Sequence, residues 1–315
     1  MILNIHDGSV PPNRVPMGGT ELMYEGLKAR IDPVLFNKFH IICSRIPDTL
    51  PEDKPIILWL HDLWNDPAAA HLADPESRKR FAKLVFVSHY QQQTYNAGLG
   101  VPYADGIVLQ NAIEPISNHD KPTDTINLIY HTTPHRGLEI LVPVFVELAK
   151  HLPHMRLNVY SSFAMYGWNE RDGPYEPLFD VCRAHSQITY HGYQSNAVIR
   201  KALQHAHIFA YPCIWPETSC IAAIEAMSAE CEVVCPTFAA LPETTANFAH
   251  LYSMNEDPNT HASNFAQVLF QTVKEYKYGT TAKMRFQKTY FDSVYNWTDR
   301  VAQWTALLTH LAEKK

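Results

Sequence analysis

The chain of 315 residues is 46% hydrophobic and 18% charged and carries a formal net charge of −6. That balance excludes a disordered polymer, and with no cluster of Lys and Arg to offset it locally it excludes nucleic acid as the main partner. The length exceeds the usual size of one domain and predicts two.

Predicted elements alternate from the start: a strand over 2–5, then a helix over 20–31 with Leu22, Met23, Leu27 and Ile31 on one face. Strands over 39–43, 56–60 and 84–87, a helix over 90–97 and a strand over 106–109 follow. Such alternation predicts a parallel sheet covered by helices. The polar, proline-bearing stretch 114–125 suits an interdomain linker. A second alternating set then has strands over 126–130, 156–160, 188–190, 208–211 and 233–235. Pro143 interrupts the helix expected over 137–150, and an interior proline costs about 3 kcal/mol, so a kink or a late helix start is expected there. At the end Thr298 reads as the N-cap of a long helix with Val301, Trp304, Leu307, Leu308 and Leu311 on one face. Asn296-Trp297-Thr298 matches a glycosylation acceptor, read as chance without a secretory signal.

No run approaches the roughly 18 apolar residues of a membrane span, and Met1-Ile2-Leu3-Asn4-Ile5-His6-Asp7 is too short and uncharged for a signal peptide. The expected address is the cytoplasm, with peripheral membrane contact allowed. Six cysteines (Cys43, Cys182, Cys213, Cys220, Cys231 and Cys235) contain no C-x-x-C pair and read as reduced, buried thiols. Among 17 histidines none forms H-E-x-x-H, and the close pairs His131/His135, His151/His154 and His205/His207 lack carboxylates at ligand spacing, so no metal is expected.

Five local patterns carry chemistry. Met17-Gly18-Gly19-Thr20 lets a ligand approach the backbone, with Thr20 as cap of the first helix; the plainer alternative is an ordinary turn. His61, in Trp59-Leu60-His61-Asp62 at a strand end, suits contact with a sugar hydroxyl or proton sharing, against a structural role. Gln110-Asn111-Ala112-Ile113 closes the last strand of the first set. Thr132-Thr133-Pro134-His135-Arg136-Gly137-Leu138 gathers hydroxyls and a guanidinium before a helix, where Arg136 is placed to bind a diphosphate bidentately; otherwise it is a solvated arginine.

The fifth, Pro216 through Met227, follows an apolar strand and contains Glu217 and Glu225 seven residues apart. It reads as one helix capped by Ser219, with Ile221, Ile224 and Met227 on one face. Amides at Ser219 and Cys220 and the helix dipole favour an anion such as a diphosphate, and Glu225 is placed to accept hydroxyl hydrogen bonds. The plain alternative is a helix-start glutamate and a solvated one.

In this order the patterns resemble the retaining glycosyltransferases of family 4. The carriers are Pro212, Glu217, Glu225-Ala226-Met227, Val233-Val234 and Leu241-Pro242-Glu243, with Arg136-Gly137-Leu138 and the Trp297/Trp304 pair. The resemblance implies an α/β chain of the GT-B fold, two facing Rossmann-like domains with parallel sheets. Their extents are 1–115 on the acceptor side, a linker 116–125, a nucleotide-sugar domain 126–290, and a closing helix within 291–315 packing back on the first domain.

It further implies Glu217 on the hydroxyls of the transferred sugar, the Ser219 and Cys220 amides with Thr218 on the diphosphate, and Glu225 on the ribose. Arg136 neutralises the leaving phosphate, His61 sits beside sugar and acceptor, and Gly18 and Gly19 face the diphosphate or acceptor, with Thr132 and Thr133 also on the donor side. Two departures stand out. The family's usual lysine is Arg136 here, and the arginine many members carry about six residues earlier is Tyr130, so Thr132, Thr133 or His135 is left to compensate. Glu230-Cys231-Glu232 replaces a small, glycine-containing turn, and the first domain is short.

The implied activity is transfer from a UDP- or GDP-linked sugar to a carbohydrate-type acceptor, with no metal and no further cofactor. There is no D-x-D on a suitable loop. Two other readings are a non-catalytic nucleotide-sugar or glycan-binding module and a nucleotide-sugar epimerase. The expected histidine and carboxylate pattern of the epimerase is missing.

Overall fold

The computed structural model describes residues 18–313. The strand expected over 2–5, and Met17 of the glycine loop, lie outside them. The first layer set comprises α1 (Gly19–Lys28), α2 (Pro33–Phe36), β1 (His40–Cys43), β2 (Ile56–Leu60), α3 (Pro75–Arg78), β3 (Lys83–Phe86), α4 (His89–Leu99) and β4 (Gly106–Val108). All pairings are parallel and the order is β1-β2-β3-β4. Every residue of β2 is buried, as a run of Ile, Leu and Trp must be in a parallel strand covered on both faces.

The second set runs β5 (Ile126–Tyr130), α5 (Leu138–Ala149), β6 (Met155–Val159), α6 (Glu176–Ala184), β7 (Ile188–Tyr190), α7 (Asn196–His205), β8 (Ile208–Ala210), α8 (Ile221–Ser228), β9 (Glu232–Pro236), α9 (Leu241–Thr244), β10 (His250–Tyr252) and α10 (Pro258–Glu275). Its parallel sheet has the order β7-β6-β5-β8-β9-β10, so the direction in which strands are added reverses between β5 and β8. The crevice beyond the carboxyl ends of two such strands is where open α/β sheets bind ligands. α11 (Ala282–Val294) and α12 (Trp297–Glu313) are the last elements of the described residues.

The second sheet and its helices enclose one large core, while Trp304, Leu307 and Leu308 of α12 bury against Met23, Leu27 and Ile57 of the first set. The two crossings between sets lie side by side, because Ile113 bridges Asn296 and its amide donates to Tyr295 O at 2.7 Å. Among the described residues no helix is long and apolar enough to cross a membrane.

Local chemistry corrects four expectations. α1 starts at Gly19 with Gly18 as N-cap, so Thr20 lies inside the first turn and caps nothing. α12 starts at Trp297 and its cap is Asn296, whose Oδ1 accepts from Asp299 N at 2.8 Å; Thr298 is already helical and exposed. α5 runs from Leu138 to Ala149 with Pro143 inside it, so the helix does not start late; buried residues on both sides of the ring hold it against the sheet core. β10 was missed because His250-Leu251-Tyr252 is three residues long with only Tyr252 fully buried, too short for a period to show.

Candidate active site

At the switch point, the chain leaves β5 through Thr132, Thr133 and Arg136, and leaves β8 through Tyr211 and Glu217. These two segments meet. Arg136 Nη1 lies 2.5 Å from Glu217 Oε1, Arg136 Nε donates to Thr133 Oγ1 at 3.1 Å, and the Tyr211 hydroxyl donates to the same Glu217 oxygen. Glu217 is 6% exposed. Burial opposes the charge on Arg136, but the carboxylate of Glu217, with Tyr211, overrides it and lifts the guanidinium pKa well above its ordinary value. Trp215 covers the guanidinium face, 5.8 Å from its ring centroid.

Gly137 makes this meeting sterically allowed. Its φ is +122°, and a Cβ there would stand 2.1 Å from Pro212 O, the backbone of the β8 segment. Only glycine lets the two loops approach so closely.

The first set closes over the same place. A Cβ on Gly18 would lie 2.5 Å from the Tyr166 ring, and a Cβ on Gly19 would lie 3.1 Å from Ile221 Cδ1. Gly19 is the first residue of α1 and Ile221 the first of α8, so two helix amino ends converge, each a partial positive pole. Tyr166 is half-buried there, and its hydroxyl pKa is raised by desolvation, with the field of Arg136 opposing. Direct bonds also cross the cleft: Thr218 Oγ1 donates to His61 O at 2.8 Å, and Ser88 Oγ donates to Thr218 O at 2.6 Å.

The expected cap and the one-helix reading of the glutamates fail. α8 begins at Ile221 with Cys220 as N-cap and no side-chain cap bond, so Ser219 does not cap it and Glu217 stands in the preceding loop. Thr218, in the same loop, bonds through its hydroxyl to His61 O on the other sheet. Glu225 is helical, 5% exposed, and paired with a different arginine: Arg200 Nη1 is 2.7 Å from Glu225 Oε1, and Asn196 Nδ2 is 3.4 Å from both carboxylate oxygens. Burial raises the Glu225 pKa and Arg200 opposes it.

His61 packs its ring 4.9 Å from Trp59, and burial pushes its pKa down to about 3, so it is neutral at physiological pH; its Nε2 has no protein partner. His135 is likewise held neutral, at about 4, by burial first and then by the charges of Arg136 and Arg171. It therefore cannot supply the positive charge expected of it, though its buried Nδ1 and the buried Thr132 Oγ1 lack protein partners and are free to bond a ligand. All six cysteines are free thiols. Among the described residues no group of three or more His, Cys, Asp or Glu is placed to hold a metal ion.

Sequence reasoning missed Tyr166, Arg200 and Asn196. Tyr166 lies in a loop without period, and Arg200 was indistinguishable from Lys201 as a helix-surface cation. Tyr211 was seen only as a strand residue.

Two facing parallel sheets, one in Rossmann order with its switch point closed over by the other, define the GT-B class of fold. Residues 128–270 match the family model of glycosyl transferases group 1. A glycosyltransferase from Rickettsia africae superposes with a TM-score of 0.68 at 14% identity, covering 97% of this chain and 85% of that one. Sucrose-phosphate synthase from Thermosynechococcus elongatus gives 0.66 at 14% identity, covering 84% and 69%. An Anabaena protein in complex with UDP and glucose gives 0.65 at 14% identity, covering 82% and 72%. A search of curated proteins finds no match. The family match over the second sheet, together with the fold, supports a glycosyltransferase.

Proposed function

We propose that the protein is a retaining glycosyltransferase of family 4 that moves a sugar from a UDP- or GDP-linked donor to a carbohydrate-type acceptor without a metal ion. The observation that carries this reading is the convergence of the α1 and α8 amino ends beside Arg136 at the sheet switch point. Helix-end amides and a guanidinium are the groups that bind a diphosphate. The UDP-bound proteins among the structural neighbours, such as the Anabaena protein with UDP and glucose, give the reading its ligand class.

In this reading residues 1–115 face the acceptor, 116–125 link, 126–290 hold the donor and the helix within 291–315 packs back. The bond between the anomeric carbon and the diphosphate oxygen breaks, its electron pair leaving with the diphosphate. Arg136, the Ser219 and Cys220 amides, Thr132, Thr133 and Thr218 stabilise that charge. The acceptor hydroxyl attacks from the same face and its proton passes to the departing phosphate oxygen. Glu217 orients the sugar hydroxyls, His61 lines the acceptor side as a neutral ring, Gly18 and Gly19 admit the diphosphate, and Glu225 receives the ribose hydroxyls.

A second reading, a nucleotide-sugar-binding module without turnover, is favoured by one observation: Glu217 already neutralises Arg136. Incubation with UDP-, GDP- and ADP-sugars separates the two. Slow release of nucleotide diphosphate that is lost in Glu217→Ala supports transfer; tight binding with no release, unchanged in that variant, supports the module. No nucleotide diphosphate raising the melting temperature would overturn both.

A further inference from the structure

Glu225 does not stand alone in α8. The guanidinium of Arg200 forks: Nη1 reaches Glu225 Oε1 at 2.7 Å, while Nη2 donates to Glu114 O at 2.7 Å and to Pro115 O at 3.2 Å. Those two carbonyls belong to the first crossing between the sheets. The Glu114 side chain continues the path to Arg30 Nη2 at 2.5 Å, in the turn just after α1. Arg30 lies 4.9 Å over the ring of Trp297, the first residue of α12 and part of the second crossing. A continuous polar path thus joins the buried carboxylate to both crossings, beside the Ile113–Asn296 bridge.

We propose that Arg200 is a positioning residue that holds the Glu225 carboxylate for the ribose hydroxyls of the donor and ties that contact to the crossing at 113–116. The proposal rests on the donor-site reading above. A buried carboxylate accepts two hydroxyls only if it is ionised and its free lone pairs face outward. Arg200 meets both needs: its charge opposes the burial that favours the neutral acid, and it occupies one oxygen from the side of α7. Asn196, at 3.4 Å from both oxygens, is too loosely engaged to fix the orientation by itself. The planar fork is what lets one side chain bond the carboxylate and two backbone carbonyls, a geometry lysine cannot reproduce. Ribose binding at Glu225 is thereby felt at the linker carbonyls.

The test measures affinity of the full chain for UDP, GDP and ADP and for their 2′-deoxy counterparts, in wild type, Arg200→Ala, Arg200→Lys, Glu225→Gln and the Arg200→Ala/Glu225→Gln double variant. Wild type is expected to prefer the ribonucleotide by about tenfold, the worth of a hydrogen bond to a charged group. Arg200→Ala loses that preference, Arg200→Lys recovers only part of it, and adding Arg200→Ala to Glu225→Gln changes nothing further. Hydrogen exchange at the amides of 113–118, which include Ile113 bonded to Tyr295 O and Ile116 bonded to Ser228 Oγ, is expected to slow with nucleotide in wild type and not in Arg200→Ala. Full ribose preference in folded Arg200→Ala, or unchanged exchange in wild type, overturns the proposal while leaving the donor reading intact. Absence of any nucleotide binding to wild type overturns the donor reading itself. Should Arg200→Ala fail to fold, Arg200→Lys and Glu225→Gln decide the question by the same ribose preference.

Discussion

Arg136 and Glu217 neutralise one another across the switch point of the second sheet, a guanidinium nitrogen 2.5 Å from a carboxylate oxygen that is itself almost wholly buried. Breaking such a pair from one side strands a buried charge, which costs about 3–5 kcal/mol, whereas removing both charges is far milder. Arg136→Ala is therefore expected to lower the melting temperature more than the Arg136→Gln/Glu217→Gln double variant. Both should weaken nucleotide diphosphate binding. Thermal melts with and without UDP check this, and a double variant less stable than Arg136→Ala would contradict it.

Gly137 sets how closely that pair can approach. Alanine at φ +122° is strained by about 1–3 kcal/mol, and its Cβ would meet Pro212 O at 2.1 Å, a backbone atom that cannot swing aside. Gly137→Ala is expected to cost more than the strain alone in urea unfolding and to reduce UDP affinity by moving Arg136 away from the β8 loop. Wild-type stability with wild-type affinity would show that the loops part freely.

What could be read in the sequence follows from length scale. Strands such as 56–60 and 126–130 are buried runs of Ile, Leu and Tyr, and apolar runs of that length declare themselves; both fall where they were expected. The pairing of Arg136 with Glu217 joins residues far apart in the chain, and no spacing encodes it; it arises because β5 and β8 are neighbours in the sheet. Helix caps failed for a related reason. Thr20, Ser219 and Thr298 are good cap residues locally, but Gly18, Cys220 and Asn296 hold the caps, and around α8 the neighbouring Thr218 hydroxyl is taken by His61 O on the other sheet. At α12 the better local cap, Asn296, wins over Thr298; only beside α8 does a partner on the other sheet take up the neighbouring hydroxyl.

Glu243, the last residue of Leu241-Pro242-Glu243, clamps the two sheets. Its carboxylate accepts from the amides of His89 at 2.9 Å and Tyr90 at 2.8 Å at the start of α4, so a charge from the second sheet caps a helix of the first. Ser88 still caps α4 from within its own layer, bonding Gln91 N at 3.0 Å. Loss of a cap costs about 0.5–2 kcal/mol, and here most of it falls on closure of the cleft. Glu243→Ala is expected to raise the radius of gyration in small-angle scattering while α4 stays helical by circular dichroism. An unchanged radius would show that the Ser88–Thr218–His61 bonds hold the cleft without it.

Acid sensitivity follows from histidines buried as neutral rings. Burial pushes the pKa of His61 and of His131 down to about 3, and His131 lies 4.8 Å from Phe209 in the second core. Their unfolded value is near 6.5. Between those limits the unfolded chain binds more protons than the folded one, so stability is full above about pH 6.5 and falls as pH drops toward 3, by at most about 1.4 kcal/mol per pH unit for each ring. Glu232 adds a separate, lower window. Burial opposes its charge, but hydrogen bonds from His250 and Lys283 override that and set its pKa at about 2, so its contribution is present above the usual carboxylate value and is lost as pH falls from there toward 2. Urea unfolding at a series of pH values should show a steep decline beginning near pH 6.5. His131→Phe should flatten the slope between pH 6.5 and 4 without moving the Glu232 window, because phenylalanine has no proton to gain. A His131→Phe protein with the wild-type slope would assign the acid sensitivity to other groups.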